Sequence, residues 1–74
     1  MGLRTAKYSD IVSSFKKAIA KEENVFSDGF INWNFVDIDI RTDMSEANVN
    51  IPEDYDDMFD YLVKMELKKG REIV

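Results

Sequence analysis

Apolar positions along residues 5–24 recur every three or four residues. Tyr8, Ile11, Val12, Phe15 and Ile19 line one side of a helix at that spacing. Thr5 and Ser9 both offer a side-chain oxygen that can accept an orphan N–H at the N-cap. Thr5 is preferred, because a start there brings Tyr8 into the stripe. The cluster Phe26-Ser27-Asp28-Gly29, with a glycine free to take positive φ, predicts a turn beyond the helix.

The pattern then changes to a period of two. Residues 30–41 are rich in aromatic and β-branched side chains, with Ile31, Trp33 and Phe35 on one parity and Val36, Ile38 and Ile40 on the other. This reads as a strand with a bulge at Phe35-Val36, which turns both apolar sets toward one core. A strand buried on opposite faces at its two ends is the alternative. Residues 42–47 read as a turn, and residues 47–51 alternate again as a short antiparallel partner strand. Pro52 fits the first helical position, where its missing N–H does no harm, and Glu53 and Asp54 suit the positive end of the helix dipole.

The last helix is expected over residues 52–69. Tyr55, Met58, Phe59, Leu62, Val63 and Met65 fall in one apolar arc. Gly70 fits the residue after the C-cap, and Lys64, Lys68 and Lys69 suit the negative dipole end. Glu66 projects into the apolar arc. It is expected to reach water where the last turn leaves the core; a functional buried carboxylate is the sharper reading. The predicted fold class is α+β in the order helix–strand–strand–helix, with two helices packed on one face of a short antiparallel β-hairpin. Two strands make a marginal sheet, so dimerisation is the expected way to extend it.

Composition narrows this picture. The 74 residues make a single small acidic domain near the lower size limit for independent folding. No cysteine is present for a disulfide and no histidine for a zinc site, so packing or association must stabilise the fold. No apolar run approaches the roughly 20 residues that span a bilayer. The N-terminus has no apolar signal core, and Met1-Gly2 fails as a myristoylation start because Ala6 stands where Ser or Thr is needed. No Asn-x-Ser/Thr site occurs. The expected setting is cytoplasmic and soluble, with no membrane association.

Charge is sorted by position. Residues 23–60 hold eleven carboxylates and one cation, Arg41, whereas residues 1–22 and 64–74 are net basic. A middle this acidic steers and selects cationic partners. The net charge of −5 argues against direct binding to nucleic acid. Lys16, Lys17 and Lys21 could form a cationic stripe, but read most simply as a solvated face.

Catalysis has little to work with. Without Cys or His there is no thiolate or imidazole base, and no Gly-x-Ser-x-Gly elbow appears. Gly2, Gly29 and Gly70 are too scattered for a phosphate loop. The run Asp37-Ile38-Asp39-Ile40-Arg41-Thr42-Asp43 has a superficial calcium-loop spacing, but lacks the glycine at the sixth loop position. No enzyme activity, metal or cofactor is expected.

The same carboxylates make better sense as a surface. Alternate residues of a strand lie roughly 6.8 Å apart on one face, so Asp37, Asp39 and Asp43 would form an acidic row. Glu53, Asp56, Asp57 and Asp60 would share a face of the last helix. Trp33 is core if the bulge turns it inward; if outward, it is an aromatic anchor, with Asn32 and Asn34 as polar neighbours. Tyr61 lies off the apolar arc and is a second contact candidate. An ordinary solvated face is the plain alternative. Small size, acidic pI and segregated charge resemble in composition the phage- or plasmid-encoded inhibitors, DNA-mimicking antirestriction proteins among them. The charge pattern predicts a small non-catalytic protein binding a basic surface of another protein, such as a nucleic-acid-binding protein, and the resemblance implies its boldest form, a nucleic-acid-mimicking inhibitor. The alternative is a homodimer with a structural or regulatory role, its basic ends pairing with its own acidic middle.

Overall fold

The computed structural model describes the backbone of residues 3–73 and the side chains of residues 3–69. Met1 and Gly2, weighed above as a lipidation start, lie outside the described residues. Three helices dominate: α1 (Tyr8–Ile19), α2 (Trp33–Glu46) and α3 (Tyr55–Ile73). A 3₁₀ turn, Glu22–Asn24, follows α1, and two short strands, β1 (Arg4–Thr5) and β2 (Val49–Asn50), pair in parallel. Arg4 stands opposite Val49 and Thr5 opposite Asn50. Among the described residues the expected antiparallel hairpin is therefore absent, and with it the edge-to-edge sheet that two hairpins would have formed.

The largest departure from the sequence reading is residues 33–46, which are helical instead of extended. Val36, Ile40 and Met44 are buried at four-residue intervals and Trp33 is half-buried one turn before them. This is a helical stripe. Phe35 and Ile38, which made the segment look alternating, stand on the outer side. The adjacent Phe35-Val36 pair marks no bulge; it is the step from the outer to the inner face of a helix. Strand propensity is a preference for a half-buried pleated surface, and tertiary packing overrode it here. Asn32 caps α2 by accepting the Phe35 N–H at 3.3 Å. Asn48, at φ 59°, ends it in the left-handed conformation tolerated by asparagine.

The other boundaries shift less. α1 starts at Tyr8, and its cap is neither Thr5 nor Ser9. The Asp10 carboxylate reaches back to accept the Lys7 backbone N–H at 2.8 Å and also pairs with Arg4 at 2.7 Å. Arg4 and this hydrogen bond hold the Asp10 carboxyl at about 2, below the usual carboxylate range. Gly29 takes φ 90° in the expected turn, where its N–H donates to the Phe26 carbonyl at 2.9 Å. Pro52 lies one turn ahead of α3, its carbonyl accepting from the Tyr55 N–H at 3.1 Å. α3 continues through Gly70 to Ile73, so Gly70 does not terminate it.

α1 and α2 pack antiparallel, since Ser14 meets Asp43 while Lys21 meets Asp39. Ile11, Phe15 and Ala18 of α1 close against Val36, Ile40 and Met44 of α2, with Tyr55 of α3 and Ala6 completing the buried set. Full burial of Ile11, Val36 and Ile40 stabilises the fold by about 1.5–3 kcal/mol for each side chain. Phe15 stacks on Trp33 at 6.0 Å between ring centroids and meets Phe59 edge-on at 6.1 Å. Val63 is the last residue of α3 packed on the core among the described side chains. The helix then runs on, giving a body of 42 × 21 × 15 Å. No helix among the described residues is long and apolar enough to cross a membrane.

Candidate functional site

Making α2 a helix redistributes the carboxylates of the proposed acidic row. Residues two apart on a helix project about 160° apart instead of onto one face. Asp37 therefore falls on one flank of the buried stripe and Asp39 on the other, with Asp43 one turn beyond Asp39. The expected continuous anionic row does not form. Each of these carboxylates instead has a cation of the same molecule beside it.

On the α1 flank, Asp43 accepts from the Ser14 hydroxyl at 2.8 Å and from the Lys17 ammonium at 3.1 Å. These two donors hold the Asp43 carboxyl below its usual range against a smaller opposing effect of burial. Asp39 accepts from the Asn24 amide at 2.7 Å and from Lys21 at 3.4 Å. Asn24 is almost fully buried and uses its amide twice, giving its other hydrogen bond to the Ala18 carbonyl at the end of α1 (2.9 Å). A shallow cleft of about 160 Å³ lies over this seam, lined by Ser14, Lys17, Ala18, Lys21, Asp39 and Asp43. Its polar groups satisfy one another, so it offers a ligand little that is unpaired.

On the opposite flank, Asp37 accepts from Arg41 Nε at 3.1 Å and from the Tyr55 hydroxyl at 2.7 Å. The Arg41 guanidinium lies 4.7 Å from the centre of the Tyr55 ring and reaches Asp56 at 3.6 Å. Burial raises the Tyr55 phenol pKa, and the Asp37 carboxylate raises it further. This cluster fastens the start of α3 to the middle of α2.

The predicted helix-face set survives only in part. Asp60 pairs with Lys64 at 2.9 Å in exposed i,i+4 geometry. Glu53, just before α3, and Asp57 in its first turn have no ion pair among the described residues, and Asp56 has only the long contact to Arg41. The Asp56 side chain is 93% exposed. Asp54, omitted from the sequence-based set, is exposed beside them. Trp33 is half-buried on Phe15 rather than standing free, while Tyr61 is exposed. Glu66 is half-buried, 3.9 Å from Lys69.

Two features escaped the sequence reading. Asn24, read as part of the end of α1, is instead a buried polar hub; nothing in its neighbours signals this. Phe35 and Ile38 on the outer side of α2, and Phe26 and Phe30 in the connection before it, are large apolar side chains left exposed. The clashing parity of residues 30–41 was the available signal. Among the described residues, no group of three or more carboxylates is placed to hold a metal ion. Comparisons with protein-family models, curated proteins and solved structures find no match to this chain.

Proposed function

We propose that this chain is a small non-catalytic binding protein that engages a basic surface of another protein through the carboxylates at the start of α3. The supporting observation is the difference in pairing. Asp37, Asp39 and Asp43 have cations within 3.4 Å, whereas Glu53, Asp54 and Asp57 carry no ion pair among the described residues. Four acidic residues within the five-residue run 53–57 concentrate negative charge. The positive dipole end of α3 offsets part of their mutual repulsion and makes the cluster tolerable to the fold. Such a pole raises association rates with cationic surfaces and discriminates against acidic ones.

A nucleic-acid-mimicking inhibitor is the narrower form of this reading. It rests on the 53–57 run, because Asp37, Asp39, Asp43 and Asp60 are paired with cations of the same molecule. The experiment is capture of partners from a cell extract, eluted with rising salt, by the native chain and by the variant E53Q/D54N/D56N/D57N. The native chain should retain a basic protein that the variant loses, and retention should fall steeply with salt. Equal capture by both chains, with the same salt profile, rejects the reading.

A further inference from the structure

Four large apolar side chains stand outside the core around the α1–α2 connection and the start of α2. Phe26 and Phe30 face each other across the Gly29 turn, joined by the Phe26 N–H to the Phe30 carbonyl at 2.8 Å. The bridge between Val25 and Ile31 lies one step inward, with Ile31 packed against the core. Phe35 and Ile38, one turn apart, share the outer face of α2. Phe30 is 70% exposed, more than any buried-type residue of the helices. Four large apolar side chains left half or more exposed within residues 26–38 of so small a body are the kind of feature that serves as an interaction surface. Glu22, Glu23 and Asp28 border it in the chain, and none has an ion pair among the described residues.

The distal part of α3 carries the complementary pattern. Tyr61, Lys64, Met65 and Lys68 follow the i, i+3, i+4, i+7 spacing of a docking helix. All four are exposed and lie away from the face that packs on Phe15. Among the described residues Lys64 pairs with the exposed Asp60, in a pair of the kind that exchanges readily.

We propose that the aromatic region around Phe26, Phe30, Phe35 and Ile38 is a self-association surface, occupied by the Tyr61–Lys68 stripe of a second copy. Tyr61 and Met65 lie against the phenyl rings, where a flexible thioether packs well on aromatic edges. Lys64 and Lys68 meet Glu22 and Glu23. Charge decides the occupant. The carboxylate border repels an acidic or phosphate-bearing ligand, while the lysine stripe is a matching segment available in every copy. Each copy carries both patches, and where the two contacts form reciprocally between the same two copies they close a two-fold dimer. The acidic start of α3 is not part of either patch, so a dimer would present two such poles.

Sedimentation equilibrium over a concentration series tests this, with circular-dichroism melting to verify folding. The native chain should show a reversible monomer–dimer equilibrium. Phe30→Asp should raise the dissociation constant by about tenfold or more without lowering the melting temperature at concentrations where the native chain is monomeric, as its side chain is exposed. K64E/K68E and E22K/E23K should each weaken the dimer, and the two pairs combined should bring it back to within about threefold of the native value. A native chain that stays monomeric throughout the series overturns the proposal. So does a dimer indifferent to Phe30→Asp, or charge reversals that fail to compensate.

Discussion

Two regions of this molecule gather carboxylates and treat them in opposite ways. Along the α1–α2 seam, Asp39 and Asp43 meet Lys21, Lys17, Ser14 and Asn24 within hydrogen-bonding or ion-pair distance. At the start of α3, Glu53, Asp54 and Asp57 face solvent with no such partners among the described residues. The seam uses charge to register two helices; the α3 pole leaves it available. Charge density counted along a chain therefore says little about the field outside the fold. The pairing made by packing determines which carboxylates a partner can meet.

The same contrast applies to apolar residues, and one helix supplies the sharpest way to test it. Ile38 and Ile40 are two residues apart, yet Ile40 is fully buried and Ile38 exposed. Ile40→Ala should cost about 2–5 kcal/mol of unfolding free energy. Ile38→Ala should stay within about 0.5 kcal/mol. Urea denaturation of the two variants reads both. Equal losses would mean that α2 does not present the face described.

Asn24 provides the next largest effect. Asn24→Ala leaves the Ala18 carbonyl and one Asp39 oxygen without their amide donor, an expected loss of about 1–3 kcal/mol. The exposed Asn34→Ala serves as its control, expected within about 0.5 kcal/mol. If both are silent in thermal melts, the buried hub contributes nothing to joining the helices.

Acid titration reads the paired carboxylates directly. Asp10, held at about 2, and Asp43, also lowered, bind fewer protons when folded than when unfolded. Their contribution is complete above the unfolded carboxylate range near 4, and it fades as pH falls through the lowered values. Asp43→Asn should flatten the acid limb of the stability curve. A steeper acid limb in Asp43→Asn would contradict the pairing. Tyr55 acts at the other extreme. Its raised folded pKa means that stability is lost as pH climbs above the ordinary tyrosine value near 10. Tyr55→Phe should lessen that alkaline loss in the same melts.

The smallest effect belongs to the exposed pairs. Lys64→Ala breaks the contact with Asp60 and should change stability by no more than about 0.5 kcal/mol. A larger loss in the melt would show that the distal part of α3 is held more tightly than its exposure indicates.

Much of α1 and α3 was legible from residue order alone. The recurrence of Ile11, Phe15 and Ile19, and of Tyr55, Phe59 and Leu62, points each helix at the core whatever lies opposite. The absence of cysteine and histidine likewise needed only the residue types. α2 was not legible, because Phe35 and Ile38 are apolar yet face out, and periodicity cannot separate an apolar side chain used inside from one left outside. Which lysine neutralises which aspartate was hidden for a related reason. Lys17 and Asp43 lie on different helices, and only antiparallel packing of α1 on α2 brings them together. Local patterns act over one or two turns, so residue order set the helix faces of α1 and α3. Long-range packing decided the conformation of α2 and the surface charge that remains.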